Sequence, residues 1–218
     1  LKMKKDSLLK LQIAILTAIL FFSNNLVFAD NHAPTEKSIA IAYNTPFSYA
    51  LDNNVSWEIN DNNGGLINSG IGNISQTFNT PGSYTIAIHN NNTEEEHSSL
   101  PDKINISVSP NKIIFDLSSI QFSQDIVGGQ SANGITVSIK ANFSSFDNSP
   151  VIYNQELSVF GVGSTISGKI KNNPTTLNQG ANILVFILDG QATIGNNIQL
   201  NFTDFNGEVQ PFTLTPKI

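Results

Sequence analysis

The sequence predicts an all-β protein: two tandem antiparallel β-sandwiches behind an N-terminal export signal. Apolar residues alternate with period two along most of the chain, and no stretch keeps the 3.6-residue period of an amphipathic helix. The alternating runs are short and are separated by Asn, Gly and Pro clusters of the kind that make turns. The 218 residues, less a leader, leave two portions that are each the size of a common domain.

Residues 1–29 read as a signal peptide. Lys2, Lys4, Lys5 and Lys10 form a basic start, Leu11 to Phe22 an apolar stretch interrupted only by Gln12 and Thr17, and Val27-Phe28-Ala29 a small-residue cleavage motif. The apolar stretch is shorter than the roughly 20 residues that span a bilayer as a helix. A mature chain starting near Asp30 would be exported (periplasmic, cell-surface or secreted) with no transmembrane span.

The first portion, 30–110, is expected to hold seven strands. Their apolar positions are Ile39, Ile41 and Tyr43; Phe47, Tyr49 and Leu51; Val55, Trp57 and Ile59; Leu66 and Ile67; Ile74 and Phe78; Tyr84, Ile86 and Ile88; and Ile104, Ile106 and Val108. Pro110 then marks a boundary, because proline cannot join the following ladder. The second portion, 111–218, continues with Ile113 to Phe115, Ile120 and Phe122, then Ile135 to Phe143 in clean alternation. Leu157 and Val159 follow, then Ile166 and Ile170, and the unbroken run Ile183 to Leu188, which predicts a central strand covered on both faces. Asp189-Gly190 and Asn206-Gly207 are hairpin signals, the second lying between Ile198 to Phe202 and a last strand through Phe212 and Leu214.

Composition narrows the functions. Charged residues make up 13% of the chain, against about 25% in an average soluble protein, and 29 Asn supply much of the polarity instead. All 11 basic residues are Lys and the net charge is -6, a balance opposed to nucleic-acid binding. Zero Cys excludes disulfides, thiolate metal sites and cysteine nucleophiles.

Two stretches of the first portion resemble the PKD module, an immunoglobulin-like sandwich common in exported bacterial proteins. Val55-Ser56-Trp57-Glu58-Ile59-Asn60-Asp61-Asn62 is similar to that family's tryptophan strand running into an Asp/Gly-rich turn. Thr77 to Ile88, with Phe78, Pro81-Gly82 and Tyr84, resembles its aromatic, turn, tyrosine and alternating-strand signature. The resemblance covers residues 36–109, departs from the usual Gly-Asp-Gly turn at Asn60 to Gly65, and implies a spacer or binding platform without catalytic residues. The second portion shows only a generic immunoglobulin-like pattern.

His89, Glu94, Glu95, Glu96 and His97 gather the residue types that ligate zinc, although their spacing is undefined and three adjacent acids read more simply as a solvated loop. Phe146 and Tyr153 are the aromatics least explained by strand parity and form a speculative ligand patch, whereas Tyr43, Tyr49, Tyr84, Phe143 and Phe202 follow inward parity. No nucleophile motif, phosphate loop or assignable carboxylate pair occurs, and no cofactor is implied. The expectation is a non-catalytic envelope or extracellular binding, adhesion or spacer protein with an unidentified protein or glycan partner. A secreted carbohydrate-binding accessory protein, for chitin or another glycan, is the alternative, and a small metal-dependent secreted enzyme the third.

Overall fold

The structure, a computed structural model, describes residues 35–90 and 100–218. The expected signal peptide and residues Glu94, Glu95, Glu96 and His97 lie outside the described residues. Those described form strands, turns and loops only, so the chain is all-β. Their buried apolar side chains fall into two separate clusters, one drawn from Tyr43 to Val108 and the other from Ile113 to Phe202.

The N-terminal sandwich contains β1 (Glu36–Ala42), β2 (Pro46–Tyr49), β3 (Val55–Asp61), β4 (Leu66–Ile71), β5 (Ile74–Thr77), β6 (Gly82–Asn90) and β7 (Lys103–Ser109). Five of them pair in the order β1-β7-β6-β3-β4 and the other two form β2-β5. Alternation drives the packing: Val55, Trp57 and Ile59 of β3, Ile86 and Ile88 of β6, and Ile104, Ile106 and Val108 of β7 meet Phe47 and Ile74 from the smaller sheet. One ladder departs from the antiparallel expectation, since β1 runs parallel to β7. The chain turns at Asn44, whose φ of 54° is left-handed, and enters the other sheet as β2 instead of folding back as a hairpin.

Local chemistry fixes the corners. Asp61 Oδ1 accepts the backbone N–H of Asn63 and of Gly65, each at 2.8 Å, which turns β3 into β4. Trp57 is buried on β3; its Nε1 donates to the Gly72 carbonyl at 2.9 Å. A Cβ at the facing Gly70 would lie 2.6 Å from the indole ring, so the tryptophan fits because that position has no side chain. Tyr84 packs on Phe78 with centroids 4.6 Å apart and ring planes tilted by 42°, and donates its hydroxyl to the Thr80 carbonyl at 2.9 Å. This is the tyrosine corner of immunoglobulin-like sandwiches.

The C-terminal sandwich contains β8 (Asn111–Phe122), β9 (Thr136–Ser145), β10 (Val151–Tyr153), β11 (Ser158–Phe160), β12 (Ser167–Ile170), β13 (Thr175–Leu177), β14 (Gly180–Asp189), β15 (Ile198–Thr203) and β16 (Val209–Leu214). One sheet has the order β12-β14-β9-β8 and the other β11-β15-β16, with β10-β13 a separate ribbon. Omitting that ribbon, the order is the A-B-E-D and C-F-G arrangement of a constant-type immunoglobulin domain. Leu157 and Gly168 exchange backbone hydrogen bonds of 2.9 and 3.1 Å and join the two sheets along the β11 and β12 edges.

Three details differ from the sequence expectations here. β14 is central, but only one face is covered: Leu184, Phe186 and Leu188 are fully buried whereas Ile183 and Ile187 are exposed. Asp189-Gly190 is not a two-residue hairpin, because β14 and β15 belong to different sheets and residues 190–197 cross between them. The strand segments around Ile113 and Ile120 are one strand, β8, with a register shift between Asp116 and Gln121. Asn206-Gly207 does make its hairpin, with Asp204 Oδ1 accepting the N–H of Asn206 at 2.7 Å and of Glu208 at 2.8 Å.

Candidate functional site

The aromatic pair singled out from sequence is divided by the fold. Phe146 follows β9, is 51% exposed and meets Tyr43 edge-on at 6.0 Å. Tyr153 ends β10 and is 1% exposed, so it is a core residue and not a ligand platform. Its hydroxyl donates to the Thr203 carbonyl at 2.8 Å, and Phe115 and Phe205 meet its ring edge-on. Burial, reinforced by the nearby Asp204 charge, raises its pKa well above the ordinary tyrosine value. The apolar spacing of this strand is too short to carry a parity signal, which is why the burial escaped sequence reasoning.

Of the suggested metal residues, His89 lies exposed on β6 opposite Ser56 in the β3 ladder. No group of three metal-ligating side chains occurs among the described residues. Tyr43, Phe143 and Phe202 are buried, and Tyr49 and Tyr84 are half-buried against the N-terminal core, as their parity suggested.

A different aromatic stands free. On β11, Val159 turns toward the core and Phe160 turns outward with 60% of its surface exposed. Across the three-stranded sheet it is in register with Gln199 of β15, which is in register with Thr213 of β16. In the adjoining row Ser158 faces Asn201, and Gln199 Nε2 donates to Asn201 Oδ1 at 2.7 Å. Phe160, Val162, Asn197, Gln199 and Thr213 thus border an open, uncharged hollow of about 480 Å3. A ring face beside oriented amides and a hydroxyl can stack on an apolar ligand surface and hydrogen-bond its polar edge.

Glycines hold the backbone of this end in place. A Cβ at Gly161 would sit 2.8 Å from Ile198 Cγ2 and 3.0 Å from the Asn197 carbonyl oxygen. Gly163, at φ 69°, brings residues 161–165 against Thr193, whose Oγ1 a Cβ would meet at 2.7 Å. On the other side of this segment a second uncharged hollow, about 300 Å3, is lined by Gly129, Thr165, Gln191 and Ile194. Phe160 was missed in the sequence although its signal is there: Leu157 and Val159 share the inward parity, which leaves Phe160 on the outer face.

No protein-family model matches the chain, and a search of curated proteins finds no match. A search of solved structures returns a chain from the crystal structure of Dpr2 Ig1-Ig2 in complex with DIP-Theta Ig1-Ig3. The TM-score is 0.22 and the identity 9%, with 84% of this chain and 62% of that chain covered. The present chain thus spans less than two thirds of its length, and the immunoglobulin-like assignment rests on the strand orders given above.

Proposed function

We propose that this is an exported, non-catalytic binding or adhesion protein of the cell envelope or extracellular space. In this reading residues 30–110 are a PKD-type spacer and residues 111–218 carry the binding surface, on the outer face and distal loops of the β11-β15-β16 sheet. The observation that carries it is the exposed Phe160 ring in register with Gln199 and Thr213, on a face without charge. Trp57 on its strand, the Pro81-Gly82 turn and the Tyr84 corner support the PKD assignment. The test is a pull-down with the processed protein from its own envelope and culture medium, beside Phe160→Ala. Recovery of a surface protein or glycan that the variant loses is the expected result; turnover of a soluble substrate would overturn the reading. Mass spectrometry of the exported chain checks the leader, with Asp30 expected as the first residue.

The same face favours a second reading, carbohydrate binding, because an aromatic ring flanked by Asn, Gln and Thr suits the apolar and hydroxyl surfaces of a sugar. Native electrophoresis through chitin, cellulose and other glycans separates the two. Retardation abolished by Phe160→Ala supports the glycan, and unchanged mobility in every gel leaves the protein partner.

A further inference from the structure

Tandem domains move relative to one another by default unless their junction is pinned. Here the junction is a single residue. β7 ends at Ser109 and β8 starts at Asn111, and the ring of Pro110 between them fixes its φ. The ladders of the two sandwiches run up to this proline from both sides. Tyr43 N–H donates to the Ser109 carbonyl at 3.0 Å, at the end of the β1–β7 ladder, where Ala42 is in register with Ser109. Phe146 N–H donates to the Pro110 carbonyl at 2.8 Å, at the end of the β8–β9 ladder, where Asn111 is in register with Ser145.

Successive carbonyls of the junction are thus bound by different sandwiches, with no free carbonyl between them. The Ser109 hydroxyl also spans the proline, accepting the N–H of Asn111 at 3.2 Å and donating to the Asn111 carbonyl at 3.3 Å. Side chains close the contact. Tyr43 and Phe146, the two residues whose N–H groups hold those carbonyls, meet ring to ring at 6.0 Å and 83°. Lys112 of β8 reaches from the C-terminal sandwich and donates from Nζ to the Asn44 carbonyl at 3.0 Å. Asn44 is itself fixed to the N-terminal sandwich, because its N–H donates to the Phe78 carbonyl at 2.8 Å.

We propose that Tyr43, Ser109, Lys112 and Phe146 splint the Pro110 junction, so that the two sandwiches tumble in solution as one rigid body. Phe146 is then a positioning residue and not a ligand contact. Its place just beyond β9 follows from the splint, since its N–H binds the junction and its ring packs on Tyr43.

The splint fixes orientation without merging the cores. Its contacts are few and local, and the buried apolar side chains remain two separate clusters. The consequence is for presentation. A surface on the C-terminal sandwich is held at one attitude to the N-terminal sandwich, so a partner that touches both does not pay to order the pair. This goes beyond the binding role proposed above and stands whether or not Phe160 is the residue that binds.

The absence of cysteine gives a direct test on the full chain. Ser69→Cys on β4 and Ser167→Cys on β12, both at exposed positions, take one spin label in each sandwich. Double electron–electron resonance on the labelled protein is expected to give a single narrow distance distribution. Adding Phe146→Ala and Lys112→Ala is expected to broaden it about twofold or more, towards the mobility usual for linked domains. Phe146→Tyr, which keeps the ring against Tyr43, is expected to leave it narrow. Circular dichroism and Trp57 fluorescence confirm that both sandwiches stay folded in each variant. A broad or multiple distribution before any junction substitution, an unchanged width in the double variant, or equal broadening by Phe146→Tyr would each overturn the proposal.

Discussion

In the N-terminal sandwich five strands face two, whereas in the C-terminal sandwich four face three. In the first arrangement β4 is an edge strand among the described residues; on its inner face Asn68 donates to Gln76 Oε1 of β5 at 3.0 Å, while Leu66, Ile67 and Ile71 stand in solvent. The second brings its sheets together along one side through the Leu157–Gly168 bridge, and the parallel Val127–Lys217 bridge ties the A–B loop to the C-terminal segment. Of its exposed apolar residues, Phe160, Val162 and Ile194 lie at the sheet face and loops near one end, while Ile114, Ile183 and Ile187 stand on the outer face of the four-stranded sheet. Five strands against two thus leave exposed aliphatic residues on an edge strand, whereas four against three leave them on the outer faces of both sheets.

The largest test of this contrast uses the lone tryptophan. Trp57 lies in the N-terminal core, so its fluorescence follows that sandwich, while far-ultraviolet circular dichroism follows both. Phe186 and Ile59 are fully buried, one in each core. Phe186→Ala is expected to destabilise the C-terminal sandwich by about 3–5 kcal/mol and Ile59→Ala the N-terminal one by about 2–5 kcal/mol. In urea, Phe186→Ala should shift the dichroism transition and leave the fluorescence midpoint in place, with Ile59→Ala moving the fluorescence. A fluorescence midpoint that moves equally in both variants would show one cooperative core and dissolve the comparison.

The two sandwiches also hold their tyrosines differently. Tyr153 donates its hydroxyl across the C-terminal core to Thr203, a residue 50 positions away, inside a packed aromatic cluster. Tyr153→Phe leaves that carbonyl without its donor and is expected to cost about 1–3 kcal/mol at neutral pH. Its raised pKa sets the sign of an alkaline effect. Above the ordinary tyrosine value of 10.0 the unfolded chain loses this proton while the folded chain keeps it, so stability falls as pH rises from there. Urea titrations above pH 10 should show a steeper loss for the natural protein than for Tyr153→Phe; identical slopes would mean the hydroxyl ionises freely in the fold.

Strands with sustained alternation were legible in the sequence. All seven expected in the N-terminal portion are present, and the runs Ile135 to Phe143 and Ile198 to Phe202 correspond to β9, from Thr136, and β15. Two three-residue strands, β10 and β13, were not expected, because so short a segment has no measurable period and pairs only through tertiary context. The run Ile183 to Leu188 misled for a related reason: continuous hydrophobicity reports a strand but not how many of its faces are covered. The aromatic platform was half legible. Parity puts Phe160 outside, yet its neighbours Gln199 and Thr213 come from strands about 40 and 50 residues further on, joined only by the sheet register.

The smallest effect concerns Tyr84, whose bond to Thr80, 2.9 Å against 2.8 Å for Tyr153, spans only four residues and lies at the exposed surface. Water can replace the hydroxyl at both partners once it is removed, so no buried group is left unsatisfied. Its ring keeps the contact with Phe78 in a Tyr84→Phe variant. The expected loss is about 0.5–1 kcal/mol, at the lower end for a hydrogen bond, read from the tryptophan-fluorescence midpoint. A loss as large as that of Tyr153→Phe would mean that the corner, and not the apolar contact with Phe78, holds β6 against the smaller sheet. The thin two-stranded side of this sandwich would then depend on a surface hydrogen bond for its closure, a dependence the better matched C-terminal sheets do not share.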